Sequence, residues 1–190
     1  MTGDPAVRVG VSACLLGQEV RYDGGHKRDA FLTDVLARFV QWVPVCPEEE
    51  AGFGTPREAM RLERQGDEVR LVTVRTRRDV TAQLATAAAR RMKQLAKLDL
   101  DGYILKKDSP SCGLLHVKVF GSRGGISRTG RGLFAAALTR AFPTLPVEDE
   151  DRLRDPRILD RFLVRVFAHR ELAAPKELLL SAKASTRRRR

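Results

Sequence analysis

Alternating hydrophobic and small or polar positions near the start of the chain predict a buried strand. In VRVGVSAC, Val7, Val9 and Val11 alternate with small or basic residues, and the run ends at Cys14. Turn residues follow in RYDGGHK and separate this strand from the next element. Five further short apolar runs predict strands as well: VQWVPVC, EVRLVTV, GYILK, HVKVFG and LPVED.

Hydrophobic residues at helical spacing predict four helices. The first covers about residues 28–39, and the second is alanine-rich, begins near Asp79 or Thr81 and ends before residue 101. The third covers about residues 133–142 and the fourth about residues 155–169. Glycine, proline and polar residues punctuate residues 51–66 and 122–132, which we predict to be loops.

The alternation of strands and helices predicts an α/β fold with a mainly parallel sheet. Ligands of such sheets bind in the crevice beyond the carboxyl ends of the strands. Cys14, Cys46 and Cys112 each come after a predicted strand. Three cysteines that are remote in sequence are therefore expected to converge in space.

The composition is that of one domain with a basic end. The chain has 190 residues, of which 43% are hydrophobic and 31% are charged. Of its net charge of +11, five positive charges lie in residues 183–190, which we expect to be a disordered tail after a domain over residues 1–182. No apolar run is long enough for a membrane span and no signal peptide is recognisable, so we expect a cytoplasmic protein without a membrane partner.

The three cysteines indicate a shared metal site rather than disulfide bonds. Their number is odd, and no two of them have the close spacing of a zinc knuckle. One candidate is zinc with three ligands and water, although His26, His116 and His169 are poorly placed to join the usual mixed ligand sets. The other is an iron–sulfur cluster with three thiolate ligands, which leaves one iron open to a soft substrate atom such as sulfur.

Polar residues beside the cysteines fit chemistry at such a site. Glu48 comes two residues after Cys46 and could activate water or move a proton, although alone it is typical of a solvated acid. Ser109 and Ser111 flank the Cys112 loop and can donate hydrogen bonds to a polar heterocycle. Their location next to the cysteines makes these residues candidates for the site.

Three segments resemble the motifs of the thiouracil desulfidase (TudS-like) family: VSACLLGQEVRYDGGHKRD, VCPEEEAGFGTPRE and LKKDSPSCG. The similarity covers about residues 8–169. It implies a Rossmann-like α/β fold and a [4Fe-4S] cluster with Cys14, Cys46 and Cys112 as ligands and the fourth iron open. It also implies removal of sulfur from thiouracil as sulfide, without net redox change, with Glu48 and Ser109 as catalytic residues.

Two alternatives from other classes stay open. The first is an RNA-binding protein that acts on thiolated tRNA or senses it, with weak RNA contact through the basic tail. Against this alternative, the aromatic content of 6% offers few platforms for base stacking. The second is a zinc-binding protein, or a domain with three unligated thiols. The leading hypothesis is the desulfidase, whose partner is a small thiolated heterocycle.

Overall fold

The computed structural model describes residues 7–121 and 124–173, and the strands in these ranges form two sheets. The strands are β1 (Val7–Ser12), β2 (Val40–Val45), β3 (Met60–Gln65), β4 (Glu68–Thr73), β5 (Gly102–Leu105), β6 (Val117–Phe120), β7 (Ile126–Gly130) and β8 (Val147–Asp149). The α-helices are α1 (Pro47–Glu50), α2 (Thr81–Leu95), α3 (Leu133–Ala141) and α4 (Pro156–Ala173). The predicted tail at 183–190 and the predicted domain boundary at 182 lie outside the described residues.

The first sheet is entirely parallel, with the strand order β2-β1-β5-β8. The alternating valines of β1 face a layer that contains Phe162 and Val166 of α4. On the opposite face, side chains of β2 and β5 pack against α2 and α3. A parallel sheet covered by helices on both faces confirms the predicted α/β fold.

Two glycines make room for side chains that pack on the parallel sheet. A Cβ on Gly10 of β1 would lie 2.2 Å from the ring atom Cδ2 of Tyr103. A Cβ on Gly102 of β5 would lie 2.8 Å from Cγ2 of Val166 in α4. Both distances are too short for carbon atoms in contact, so a side chain at either position would displace the ring or the helix.

The second sheet was not predicted. Its strand order is β4-β3-β6-β7, in which β3 and β6 are parallel and the other neighbours are antiparallel. Because β3 and β7 lie within residues 51–66 and 122–132, the prediction of loops was wrong there. Both strands are mostly polar, although Leu62 of β3 is fully buried. They are extended because they pair with β4 and β6, and a local pattern does not record such pairing.

The predicted helix over residues 28–39 was wrong in its form. The chain makes a π-helical turn at Phe31–Val35 and a 3₁₀ turn at Leu36–Arg38. Leu32 and Leu36 are buried, in agreement with their helical spacing. The Asp29 carboxylate accepts a hydrogen bond from the Leu32 N–H (3.2 Å), so helical structure begins only after Asp29.

Helix α2 connects the cores of the two sheets. Its Leu84 packs with Leu62 and Leu71 beneath the second sheet. Two to three turns later, Met92 and Leu95 pack in the core of the parallel sheet. The two sheets therefore share one helix, which lies alongside α1 and α3. In the part of the chain that the structure describes, no helix is long and apolar enough to cross a membrane.

Candidate active site

Three strands of the parallel sheet each lead into a segment that carries one cysteine. Cys14 lies in a 3₁₀ turn after β1, Cys46 lies between β2 and α1, and Cys112 lies in the loop after β5. The three side chains line one cavity of about 390 Å³. The three thiols therefore converge, as their positions after predicted strands indicated. Their role as cluster ligands stays a prediction.

Burial raises the pKa of all three thiols. The pKa of Cys14 rises to about 11, first through burial and then through the charge of Cys46. The pKa of Cys46 also rises through burial. That of Cys112 rises well above its ordinary value, through burial and then through Glu48, Cys46 and Cys14. Because each thiolate disfavours the others, three thiolates need a positively charged group between them.

Glu48 lines the same cavity, and neighbouring side chains hold both of its carboxylate oxygens. Its Oε1 accepts a hydrogen bond from the hydroxyl of Ser111 (2.7 Å). Its Oε2 accepts from Nε (2.8 Å) and lies 2.7 Å from Nη2 of Arg57. Ser111 does not line the cavity. Its hydroxyl therefore orients Glu48 and is not directed at a ligand, in contrast to the expectation from the sequence.

Ser109 lines the cavity beside Cys112. Its Oγ accepts hydrogen bonds from the backbone N–H groups of Ser111 (3.2 Å) and Cys112 (3.0 Å). These contacts order the loop and occupy the lone pairs of the oxygen. The hydroxyl proton of Ser109 is then left to donate to a bound molecule.

Two acids at the end of β8 hold the Cys112 loop at both ends. Glu150 accepts hydrogen bonds from Nζ of Lys106 and from the backbone N–H of Lys107 (2.6 Å). Asp149 accepts from the backbone N–H groups of Leu114 (2.9 Å) and Leu115 (3.2 Å). Burial raises the pKa of Asp149 to about 6. These contacts fix the loop that presents Cys112 and Ser109.

Sequence reasoning missed Arg57, Asp149 and Glu150 as residues of this region. Asp149 ends the short predicted strand LPVED and Glu150 follows it directly, and acids at a strand end were the one available signal. Arg57 lies in a segment predicted to be a loop, and the chain contains many other arginines, so no local signal distinguished it. His26, His116 and His169 are not among the residues that line the cavity.

The donor set fits an iron–sulfur cluster better than a single metal ion. Within the described ranges, no group of three His, Cys, Asp or Glu side chains is placed to hold one metal ion. Zinc needs its ligands around one centre, whereas a cubane cluster distributes cysteine ligands over separate irons. The chain contains three cysteines in total, so the fourth iron of such a cluster has no cysteine ligand.

The fold and the cavity define an α/β protein with a three-thiol site, and comparison with known proteins assigns its family. A family model described as 2-thiouracil desulfurase matches residues 9–150, a range that includes all three cysteines, Glu48 and Ser109. The chain belongs to the 2-thiouracil desulfurase family, and this membership places it among enzymes.

Two relatives are similar over most of the chain. The uncharacterized protein YbbK of Bacillus subtilis (strain 168) is 34% identical over 137 residues, which are 69% of this chain and 89% of YbbK. The solved structure of the [4Fe-4S]-dependent thiouracil desulfidase TudS is 34% identical and superposes with a TM-score of 0.65. That match covers 83% of this chain and 99% of TudS, which agrees with the family and the fold.

Proposed function

We propose that this protein is a cytoplasmic iron–sulfur-dependent desulfidase that removes sulfur, as sulfide, from a thiolated nucleobase such as thiouracil. The observation that carries the proposal is the single cavity that three thiols share with Glu48 and Ser109. The TudS structure supports it, as a thiouracil desulfidase of similar sequence and fold.

Cys14, Cys46 and Cys112 would hold a [4Fe-4S] cluster. When bound, the cluster supplies an iron without a cysteine ligand, a Lewis acid that suits a soft sulfur atom. The three thiols must lose their protons to become ligands. Since their pKa values are raised by burial, they do so only when the positive charge of the irons compensates.

The overall reaction is a hydrolysis. The carbon–sulfur bond of the thiocarbonyl breaks, and water supplies the oxygen of the new carbonyl. Both protons of the water leave with the sulfur as hydrogen sulfide. Neither carbon nor sulfur changes its oxidation state, so the reaction requires no external oxidant or reductant.

Glu48 would carry the protons of this reaction. The Nε–H of Arg57 donates to its Oε2, which also lies 2.7 Å from Nη2, while the Ser111 hydroxyl occupies one lone pair of Oε1. Oε1 therefore keeps a lone pair that can accept a proton from water. The proton can then pass from Glu48 to the departing sulfur.

Ser109 would hold the heterocycle. Two backbone N–H groups occupy its oxygen, so its hydroxyl can donate to a ring oxygen or nitrogen in the cavity. The same contacts fix the direction of the hydroxyl, which lowers the entropic cost of orienting the substrate.

The test is purification without oxygen, supply of iron and sulfide, and measurement of visible absorbance, bound iron, acid-labile sulfide and zinc. We expect about four irons and four sulfides per chain. The loaded protein should convert 2-thiouracil to uracil and sulfide in equal amounts. A colourless protein that retains zinc, or a fully loaded protein that leaves 2-thiouracil unchanged, would overturn the proposal.

A further inference from the structure

Arg57 is almost completely buried at the edge of the site, with a side chain only 5% exposed. Its guanidinium contacts the carboxylate of Glu48 through Nε and Nη2. The same group donates to the carbonyl oxygens of Val20 (2.7 Å) and Gly54 (2.6 Å), to Oε1 of Glu49 (3.1 Å) and to Oγ1 of Thr55 (3.1 Å). One side chain thus contacts five residues from three separate segments.

Two of these segments carry cysteines of the site. Val20 lies in the segment after β1 that also contains Cys14, and Glu48 and Glu49 lie in α1 directly after Cys46. The carbonyl oxygen of Val20 also accepts a hydrogen bond from Sγ of Cys46 (3.7 Å). The backbone N–H of Arg57 donates to the carbonyl oxygen of Tyr22 (2.9 Å), which adds a second contact to the first segment.

We infer that Arg57 is a positioning residue that orients the Glu48 carboxylate toward the cavity and fixes the Cys14 and Cys46 segments relative to each other. The inference rests on the proposed role of Glu48. A planar guanidinium can reach Glu48, Glu49 and the Val20 carbonyl at the same time. A lysine at this position keeps the positive charge but cannot make these contacts together.

A second arginine that contacts α1 provides a matched control. Nε of Arg91, in α2, contacts Oε1 (2.9 Å) and Oε2 (2.8 Å) of Glu50. Arg91 and Glu50 do not line the cavity, and the Arg91 guanidinium binds Glu50, not a residue of the segment after β1. Both arginines thus bind carboxylates of the same short helix, but of the two only Arg57 holds the Glu48 carboxylate.

The experiment compares Arg57→Lys with Arg91→Lys in cluster-loaded protein. Iron and sulfide per chain, kcat and KM for 2-thiouracil, and amide hydrogen exchange are measured for both variants. For Arg57→Lys we expect iron content close to wild type, a fall in kcat of about tenfold to a hundredfold and a KM changed by less than about threefold. Exchange should accelerate in residues 18–22 as well as in residues 46–52. For Arg91→Lys, kcat should stay within about twofold and residues 18–22 should be unaffected.

Three results would contradict the inference. They are an unchanged kcat in Arg57→Lys, a loss of kcat in direct proportion to lost iron, or unchanged exchange in residues 18–22. If loaded wild-type protein does not convert 2-thiouracil, the proposed function fails, and the exchange comparison still decides whether Arg57 couples the two segments. If Arg57→Lys does not fold, Glu49→Gln is the second variant, because it weakens one contact of the guanidinium. It should lower kcat about threefold without loss of iron. An unchanged kcat in Glu49→Gln would contradict the inference.

Discussion

Glu63 in the second sheet and Asp149 at the rim of the parallel sheet, where β1, β2, β5 and β8 end, are both buried carboxylates. Their surroundings shift the pKa in opposite directions. Glu63 of β3 accepts hydrogen bonds from Nε of Arg61 (2.6 Å) and Nη2 of Arg77 (2.6 Å). These partners, Arg77 first, lower the pKa of Glu63. Asp149 at the rim accepts from two backbone N–H groups, and its burial raises its pKa to about 6. Arginine stabilises the charge in the second sheet, whereas the rim leaves a carboxylate whose charge is costly.

The two regions also differ in their secondary structure and in the thiols that only the rim contains. The second sheet consists of regular paired strands, and its buried Glu63 forms ion pairs with Arg61 and Arg77, whose side chains are more exposed. The rim consists of turns and loops, and its three thiols have raised pKa values. Groups whose ordinary ionisation is suppressed are typical of functional sites. We therefore expect substitutions at the rim to change activity and substitutions in the second sheet to change mainly stability.

The largest effect is expected for removal of a thiol at the rim. Cys112→Ala should abolish both cluster binding and turnover, because two remaining thiolates cannot hold three irons of the cube. Iron, acid-labile sulfide and visible absorbance measured after oxygen-free loading check this. Glu63→Gln in the second sheet is the control and should load normally. A Cys112→Ala protein with the wild-type iron content would remove Cys112 from the ligand set.

The second prediction compares a substitution that should lower kcat with one that should lower the free energy of unfolding. Glu48→Ala should keep the cluster and lose kcat by about a hundredfold or more, since it lacks the group that would carry protons. Glu63→Ala should keep kcat within about twofold and lower the free energy of unfolding by about 2 kcal/mol, because two arginines lose their partner. Turnover of 2-thiouracil and urea unfolding measure the two quantities. A fully active Glu48→Ala enzyme would rule out the proposed role of Glu48.

The smallest effect concerns pH. Asp149 has an ordinary pKa of 3.8 and a folded-state pKa of about 6. Between these values the folded state binds more protons than the unfolded state, so Asp149 makes the protein less stable as pH rises. For Glu63 the lowered pKa gives the opposite sign: its stabilisation is present above its ordinary pKa of 4.5 and is lost as pH falls through the folded-state value.

Urea unfolding of the cluster-free protein at several pH values between about 3 and 7 tests both signs. The stability of wild type relative to Asp149→Asn should decrease as pH rises through this interval. The stability of wild type relative to Glu63→Gln should instead increase with pH. Parallel curves for wild type and Asp149→Asn would contradict the raised pKa of Asp149.

The fold could be predicted where a strand or helix carries its own hydrophobic pattern. Val7, Val9 and Val11 mark β1, and the spacing of Leu84, Ala88 and Leu95 marks α2. Strands β3 and β7 could not be predicted in this way because most of their side chains are polar. Their backbone is extended because it pairs with β4 and β6. The short turns at Phe31–Val35 and Leu36–Arg38 replace the predicted helix, although the helical spacing correctly marked Leu32 and Leu36 as buried.

At the site, the sequence by itself determined which chemical groups are available and at which strand ends they occur: three thiols, the acids after Cys46 and a serine-rich loop at Cys112. These follow from the order of residues along the chain and from the rule that parallel strands end at one edge. Only the tertiary structure decided that Arg57 holds Glu48 and that Asp149 holds the loop after Cys112. Such contacts join residues from separate segments, and the distance between two side chains depends on how the whole chain packs.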